Sequence, residues 1–122
     1  GNNYNQKIMN FLHGHDVVRI CPELLAQMPV PRKSAEIVNG IVTDSDGKNV
    51  DYDYRLAVQM AMQQIENMDI DLVILQSRSP TCGVNSIYDG HFTGTLIKGQ
   101  GLFAKALKEA GYKVVDVEDF LQ

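Results

Sequence analysis

The sequence is poor in the residue types that define several specialised classes of protein. It has no tryptophan, and its 122 residues include only two cysteines, Cys21 and Cys82. Small secreted scaffolds usually carry more cysteines than this, because disulfides must make up for a small core. We therefore expect a reducing, cytoplasmic environment in which both cysteines are free thiols or metal ligands.

Long runs of basic or of apolar residues are also missing. Lys and Arg total 11 against 15 Asp and Glu, which gives a formal net charge of −4, and no basic stripe indicates a general nucleic-acid surface. No apolar run approaches the ~20 residues that span a membrane. The first residues lack the charged-then-apolar order of a secretory signal. What remains is an ordinary globular composition, 44% hydrophobic, that fits one domain over residues 1–122.

The most informative stretch joins a predicted strand to a loop with reactive side chains. Residues 72–75 are apolar, β-branched and without alternation, which is typical of a strand buried on both faces of a parallel sheet. The loop that follows carries Ser77, Ser79 and Cys82. Ligands of open α/β sheets bind at the carboxyl ends of the strands, so this loop is the candidate site. The alternative is a turn with a buried structural cysteine.

The other cysteine also follows a predicted strand. Residues 17–20 are predicted to form this strand, and they lead directly into Cys21-Pro22-Glu23. Proline can begin a helical turn, and Glu23 would then lie in the favourable field at the start of that turn. A solvated acid in a first turn is the alternative interpretation of Glu23.

The rest of the chain alternates helices and strands. The apolar periodicity predicts helices over residues 54–68 and 102–110, a strand over 113–117, and a hairpin turn at Asp46-Gly47. Gly111 is predicted to end the second of these helices. Residues 83–95 have no helical period and are expected to form one long binding loop. This order predicts an α/β fold: a three-layer, Rossmann-like sandwich with a mainly parallel sheet and a small hairpin insertion.

The residue pattern alone leaves the chemistry open. A Cys-dependent hydrolase would pair the Cys82 thiol with a base, for which His91 is the candidate. A small-ligand-binding domain without metal is a second alternative. A zinc site would need closely spaced pairs of Cys or His, and an iron–sulfur cluster normally takes four thiolates, of which this chain offers two.

Five motifs, taken in order, go further. They are Cys21-Pro22-Glu23, Pro29-x-Pro31-Arg32 with Ala35-Glu36-Ile37, Leu75-x-Ser77-Arg78-Ser79-Pro80-Thr81-Cys82-Gly83, Ile87-Tyr88-Asp89-Gly90-x-Phe92-x-Gly94, and Gly99-x-Gly101. The series covers essentially the whole chain and closely resembles the DUF523 family, some of whose members are thiouracil desulfidases.

The resemblance implies an iron–sulfur-dependent enzyme that removes sulfur from a small thiolated heterocycle such as 2-thiouracil. In such members a [4Fe-4S] cluster is held by three cysteines, and the fourth iron is open to accept the substrate sulfur without net redox change. Carried over by motif, Cys21 and Cys82 would be metal ligands and Glu23 the acid/base residue. Ser79, and more weakly Ser77, would orient substrate or water. The implied substrate-binding residues are Ser79, Pro80, Tyr88 and Asp89.

The sequence also departs from the family pattern. The family typically begins with a strand ending in Cys-Leu-Leu-Gly, which supplies another ligand cysteine, and this motif is absent here. We therefore expect this chain to be inactive, without a bound cluster, unless a third thiolate is supplied. We also expect the sheet edge left by that strand to favour a homodimer. Gln76 and Thr81 replace a common Lys and Ser, and both leave the character of the loop intact.

Overall fold

The computed structural model describes Ile20, Pro22, Met28 and residues 33–75 and 79–120. Its strands are β1 (Ala35–Val38), β2 (Ile41–Asp44), β3 (Val73–Leu75), β4 (Ser86–Tyr88), β5 (Leu96–Lys98) and β6 (Val114–Asp116). Its helices are α1 (Asp51–Ile65), α2 (Leu102–Glu109) and α3 (Val117–Phe120). The predicted strand over residues 17–20 lies outside the described residues except for Ile20. None of the described helices is long and apolar enough to cross a membrane.

The described strands form three two-stranded sheets. β3 and β6 are parallel, with Leu75 opposite Asp116, whereas the β1–β2 and β4–β5 pairs are antiparallel. The α/β class and a parallel pair are therefore confirmed. The described residues do not form one mainly parallel sheet, and the three-layer, Rossmann-like arrangement stays a prediction. Each residue of β3 is half-buried, so the expected burial on both faces is not seen.

The β1–β2 hairpin turns at Asn39-Gly40, where φ is +52° and +81°. A two-residue turn with positive φ at both positions matches the right-handed twist of the strands, and Asn-Gly is its strongest sequence signal. The hairpin turn that the sequence predicts at Asp46-Gly47 is a second turn, with Gly47 at φ +84°. The Asp44 N–H donates to the Lys48 carbonyl and the Val50 N–H to the Val42 carbonyl (both 2.9 Å), on either side of an isolated antiparallel Thr43–Asn49 bridge.

Helix α1 begins three residues before the predicted start and ends three residues before the predicted end. The earlier start is explained by the contacts of Asp51. The Asp51 Oδ1 accepts a hydrogen bond from the Val42 N–H (2.9 Å), and the Asp51 Oδ2 accepts one from the Arg55 guanidinium. The same guanidinium also donates to the Gly40 carbonyl (3.1 Å). The first turn of the helix is thereby attached to the β1–β2 hairpin. An acidic residue also suits this end of a helix because of the macrodipole.

The main core lies between α1 and α2 and extends to the β3–β6 pair. Its buried members are Val58, Ala61, Ile65, Phe103 and Leu107, and Val73, Leu75 and Val114 pack against them. Helix α2 ends as predicted. The N–H groups of Gly111 and Tyr112 donate to the carbonyls of Lys108 (3.1 Å) and Leu107 (3.0 Å), and Gly111 has φ +94°. This is the Schellman arrangement that a glycine one residue past the cap favours.

Substitution of Asp51 by Asn should lower the free energy of unfolding by about 1 kcal/mol at neutral pH, since the site is partly exposed and loses a charge-assisted hydrogen bond. Burial acts to raise the pKa of Asp51, but the Val42 hydrogen bond and the Arg55 charge outweigh it and hold the pKa below 3.8. A lowered folded-state pKa gives stability that is present above 3.8 and is lost as the pH falls through the folded-state value.

The measurement is urea unfolding of the parent and variant at pH 7 and at pH 3, where the difference between them should shrink. Asp53→Asn is the matched control, because Asp53 is an exposed acid of the same helical turn. An equal loss in both variants would contradict the role given to Asp51.

Candidate functional site

A tight turn over residues 79–83 follows β3 and carries the described cysteine. The Ser79 Oγ accepts hydrogen bonds from the N–H groups of Thr81 (3.2 Å) and Cys82 (3.0 Å), and the Gly83 N–H donates to the Ser79 carbonyl (3.2 Å). A serine hydroxyl that bonds nearby backbone in this way stabilises a turn without neighbouring strands. Cys82 is half-buried and packs against the main core. It therefore has a defined position against this core.

The 79–83 turn is held against the start of α2. The Leu102 N–H donates to the Pro80 carbonyl (2.7 Å), and the Phe103 N–H donates to the Thr81 carbonyl (2.8 Å), which the Ala104 N–H also approaches (3.3 Å). The first N–H groups of a helix have no partners within it, and here the carbonyls of the turn provide them. Thr81 is completely buried in this junction.

Two glycines allow the junction to close. A Cβ on Gly101 would lie 2.5 Å from the Thr81 carbonyl carbon and oxygen and 2.8 Å from the Cys82 nitrogen. A Cβ on Gly83 would lie 2.6 Å from the Ser86 oxygen and 2.8 Å from Ile87 Cγ2. Gly83 of the Cys-Gly motif and Gly101 of the Gly-x-Gly motif are thus required by close approach of backbone to backbone. Among the described residues, the other glycine of the second motif, Gly99, has only the Ile87 side chain nearby, at 3.1 Å from a Cβ built on it.

The segment predicted as one loop over residues 83–95 contains a strand. β4 pairs with β5, with Tyr88 opposite Leu96, so the true loop covers residues 89–95. The Asp89 Oδ1 accepts the His91 N–H (2.9 Å), and the Asp89 N–H donates to the Thr95 carbonyl (2.9 Å). The prediction was wrong for residues 86–88 because a three-residue strand is too short to show a periodicity.

A buried acid connects this 89–95 loop to the β1–β2 hairpin. Glu36 is 8% exposed, and its Oε1 accepts hydrogen bonds from the N–H groups of Gly90 (2.9 Å) and Phe92 (3.2 Å). Sequence reasoning included Glu36 in a motif but gave it no role. The available signal was a carboxylate in an apolar strand segment, Ala35-Glu36-Ile37, where a charge must find hydrogen-bond donors.

A second buried acid lies at the carboxyl edge of the parallel pair. Asp116 faces Leu75 in the register, is 8% exposed, and accepts the Glu118 N–H at its Oδ1 (2.7 Å), which starts α3. An Asn85–Asp119 hydrogen bond also connects α3 to the segment after the 79–83 turn. Helix α3 thus lies beside the candidate site and is held there by polar side chains.

The predicted site residues are brought together only in part. Ser79, Pro80 and Cys82 share one turn, and Tyr88 and Asp89 follow it at the end of β4. Ile87 joins the two groups, because it packs on Gly83. Cys21, Glu23 and Ser77 lie outside the described residues. The neighbours of Cys21 are described: Pro22 is fully buried, and Ile20 packs against the same core as Cys82.

The described residues also bear on two other roles considered from the sequence, the base of a hydrolase and the ligands of a metal. His91, the base of the hydrolase alternative, has an exposed side chain on the 89–95 loop. Within the described ranges no three or more His, Cys, Asp or Glu side chains are grouped as a metal site. The part of the chain that the structure describes therefore offers Cys82 as a single thiol donor in the 79–83 turn.

The model of the 2-thiouracil desulfurase family matches residues 1–119. The chain belongs to the 2-thiouracil desulfurase family. The resemblance to DUF523 seen in the motifs is thereby confirmed. A family relative, the uncharacterized protein YbbK of Bacillus subtilis (strain 168), is 35% identical and aligns with 91% of this chain and 80% of its own length.

A solved structure is similar to the present chain over most of the chain's length. It is the [4Fe-4S]-dependent thiouracil desulfidase TudS (DUF523Vcz), with a TM-score of 0.83 and 28% sequence identity. The alignment covers 93% of this chain and 75% of the other. The fold described here is therefore similar to that of TudS.

Substitution of Gly101 by Ala should destabilise the protein by about 3 kcal/mol, the upper end of the usual cost of overpacking. Gly101 has φ −72°, which alanine adopts readily, so the loss would come entirely from the contact with Thr81 and Cys82. Thermal unfolding checks this, with Gln100→Ala as the control at the adjacent position. A Gly101→Ala protein as stable as its parent would contradict the close junction.

Proposed function

We propose that the protein is an iron–sulfur-dependent desulfidase that removes sulfur from a thiolated nucleobase such as 2-thiouracil. The observation that carries this proposal is the likeness to TudS, with a TM-score of 0.83 over 93% of the chain. The family match over residues 1–119 supports the same reaction class. The substrate class and the site residues below are part of the proposal.

The cysteines fit the ligand chemistry of the proposed cluster. Thiolates are the usual ligands of iron–sulfur clusters, and Cys82 is a half-buried thiol in a turn that hydrogen bonds hold in place. Cys21 is the second proposed ligand, and its neighbour Ile20 packs on the same core as Cys82. A three-thiolate site takes one further donor beyond the two cysteines of this sequence.

When bound, the cluster would supply an open iron that acts as a Lewis acid toward the substrate sulfur. The protein's own residues would bind the ring and manage protons. Glu23 is proposed to take and return the proton of the attacking water. Ser79, whose Oγ accepts two backbone N–H groups and so has a fixed position, is proposed to orient the substrate or the attacking water.

Three further residues are proposed to contact the heterocycle. Pro80 lies in the same turn as Cys82, and its carbonyl is bound by α2, so its ring has a fixed position. Tyr88 and Asp89 are half-buried at the end of β4. The Asp89 N–H and Oδ1 are both engaged within the 89–95 loop, which gives its carboxylate a defined orientation. Polar groups held in this way can fix the orientation of a bound heterocycle.

Anaerobic reconstitution with iron and sulfide tests the proposal on the chain extended by the family's Cys-Leu-Leu-Gly segment, which supplies the third thiolate. For this extended protein we expect about four irons per chain, as in a [4Fe-4S] protein, and sulfide release from 2-thiouracil. Cys82→Ala should lose both, because it removes a ligand thiolate. His91→Ala is the matched control and should keep both, since His91 has no part in the proposed reaction.

Two results would overturn the proposal. The first is a reconstituted protein that holds no iron and releases no sulfide. The second is an activity that survives oxygen and chelators but is abolished by both Cys82→Ala and His91→Ala, which would establish the Cys-dependent hydrolase instead.

A further inference from the structure

The β1–β2 hairpin carries two buried carboxylates. Each accepts hydrogen bonds from backbone N–H groups, but the donors are close in sequence for one and far away for the other. Asp44 is 9% exposed and accepts the N–H groups of Asp46 and Lys48 (both 2.9 Å), within its own turn. Glu36 is 8% exposed and accepts N–H groups that are 54 and 56 residues away. Asp44 therefore shapes its own hairpin, whereas Glu36 acts on a separate part of the molecule.

The 89–95 loop is seated closely on β1. A Cβ on Gly90 would lie 2.6 Å from the Ile37 carbonyl oxygen, and Gly90 has φ +93°. Phe92 also has positive φ, at +59°, which is uncommon for a residue with a side chain. Both of these positive-φ residues donate their N–H to the same Glu36 oxygen. The carboxylate thus stabilises a loop conformation that the chain would not favour by itself.

The same loop begins at residues of the proposed substrate site. Tyr88 and Asp89 immediately precede Gly90, and Ile87 before them packs on Gly83, next to Cys82. The chain is therefore held on both sides of this pair: at Ile87 before it, and at Gly90 and Phe92 after it. Tyr88 and Asp89 thus have little freedom to move. Charge-assisted hydrogen bonds to backbone N–H groups are the strong kind, which suits this holding role.

From this geometry we infer that Glu36 is a positioning residue, which sets the location of Tyr88 and Asp89 for binding of the thiolated heterocycle. The inference rests on the proposed function. Glu36 acts through the backbone of the 89–95 loop, so it affects substrate affinity more than the chemical step.

The hydrogen-bond pattern predicts which substitutions are tolerated. One oxygen, Oε1, accepts both N–H groups, and the carbonyl oxygen of a glutamine can accept both in the same way. Glu36→Gln should therefore keep KM for 2-thiouracil within about threefold of the parent. Glu36→Ala removes the acceptor and should raise KM about tenfold or more, with a smaller change in kcat.

A second measurement needs no cluster and no activity. Hydrogen exchange of the Gly90 and Phe92 amides, followed by NMR, should speed up about tenfold or more in Glu36→Ala and much less in Glu36→Gln. Asp44→Ala is the matched control, because it removes a buried acid of the same hairpin that also accepts two backbone N–H groups. It should lower thermal stability and leave KM and these two amides unchanged.

The outcomes separate this inference from the proposed function. A reconstituted parent that releases sulfide, together with a Glu36→Ala variant of unchanged KM, would overturn the inference alone. An equal rise in KM in Asp44→Ala would also overturn it, since the effect would then be general destabilisation. A parent that neither binds nor desulfurises 2-thiouracil would overturn the proposed function, and the positioning role with it.

Discussion

The contact between two backbones at Gly101 is the constraint on which the candidate site depends. The turn that carries Ser79 and Cys82 has no strand beside it in the described residues, so its carbonyls must find donors elsewhere. The first N–H groups of α2 are those donors, and they reach the turn only because Gly101 has no side chain. The cysteine is thus fixed by the start of a helix that is far from it in sequence, and the helix is fixed by the core around Phe103 and Leu107.

Acidic side chains organise the remaining loops in a consistent way. Glu36, Asp44 and Asp116 are all nearly buried, and each accepts hydrogen bonds from backbone N–H groups. A buried carboxylate is costly unless such donors satisfy it, so each of these residues demands a particular backbone conformation. The acids make the loops around the site specific in shape, whereas apolar packing holds the core that supports them.

The parts of the fold that sequence predicts well are those with long or strong local signals. Helix α2, its Gly111 end, and the β3 and β6 strands each follow from periodicity or from a defined turn residue. The placement of the candidate site at a strand end rich in reactive side chains stays a prediction. The Asn39-Gly40 pair is a turn signal as clear as Asp46-Gly47, and both turns are present in the structure.

Other features had no local signal to detect. The β4 and β5 strands have three residues each, too few to show alternation. Glu36 could be noticed as a charge in an apolar strand, but its partners are 54 and 56 residues away, and no spacing rule connects them. The motif series identified the family and left the physical role of each glycine and acid to be found in the structure.

Glu36 and the 89–95 loop are far apart in sequence, so the ordered conformation of the loop depends on how the chain between them is folded. Closing a flexible segment of this length costs about 3–4 kcal/mol in chain entropy, which is comparable to what two hydrogen bonds to a carboxylate return. Those bonds alone would not bring the two ends together. The closure is favourable because α1, β3 and the 79–83 turn fold the intervening chain. The order of the region around Tyr88 and Asp89 therefore depends on the core as well as on Glu36.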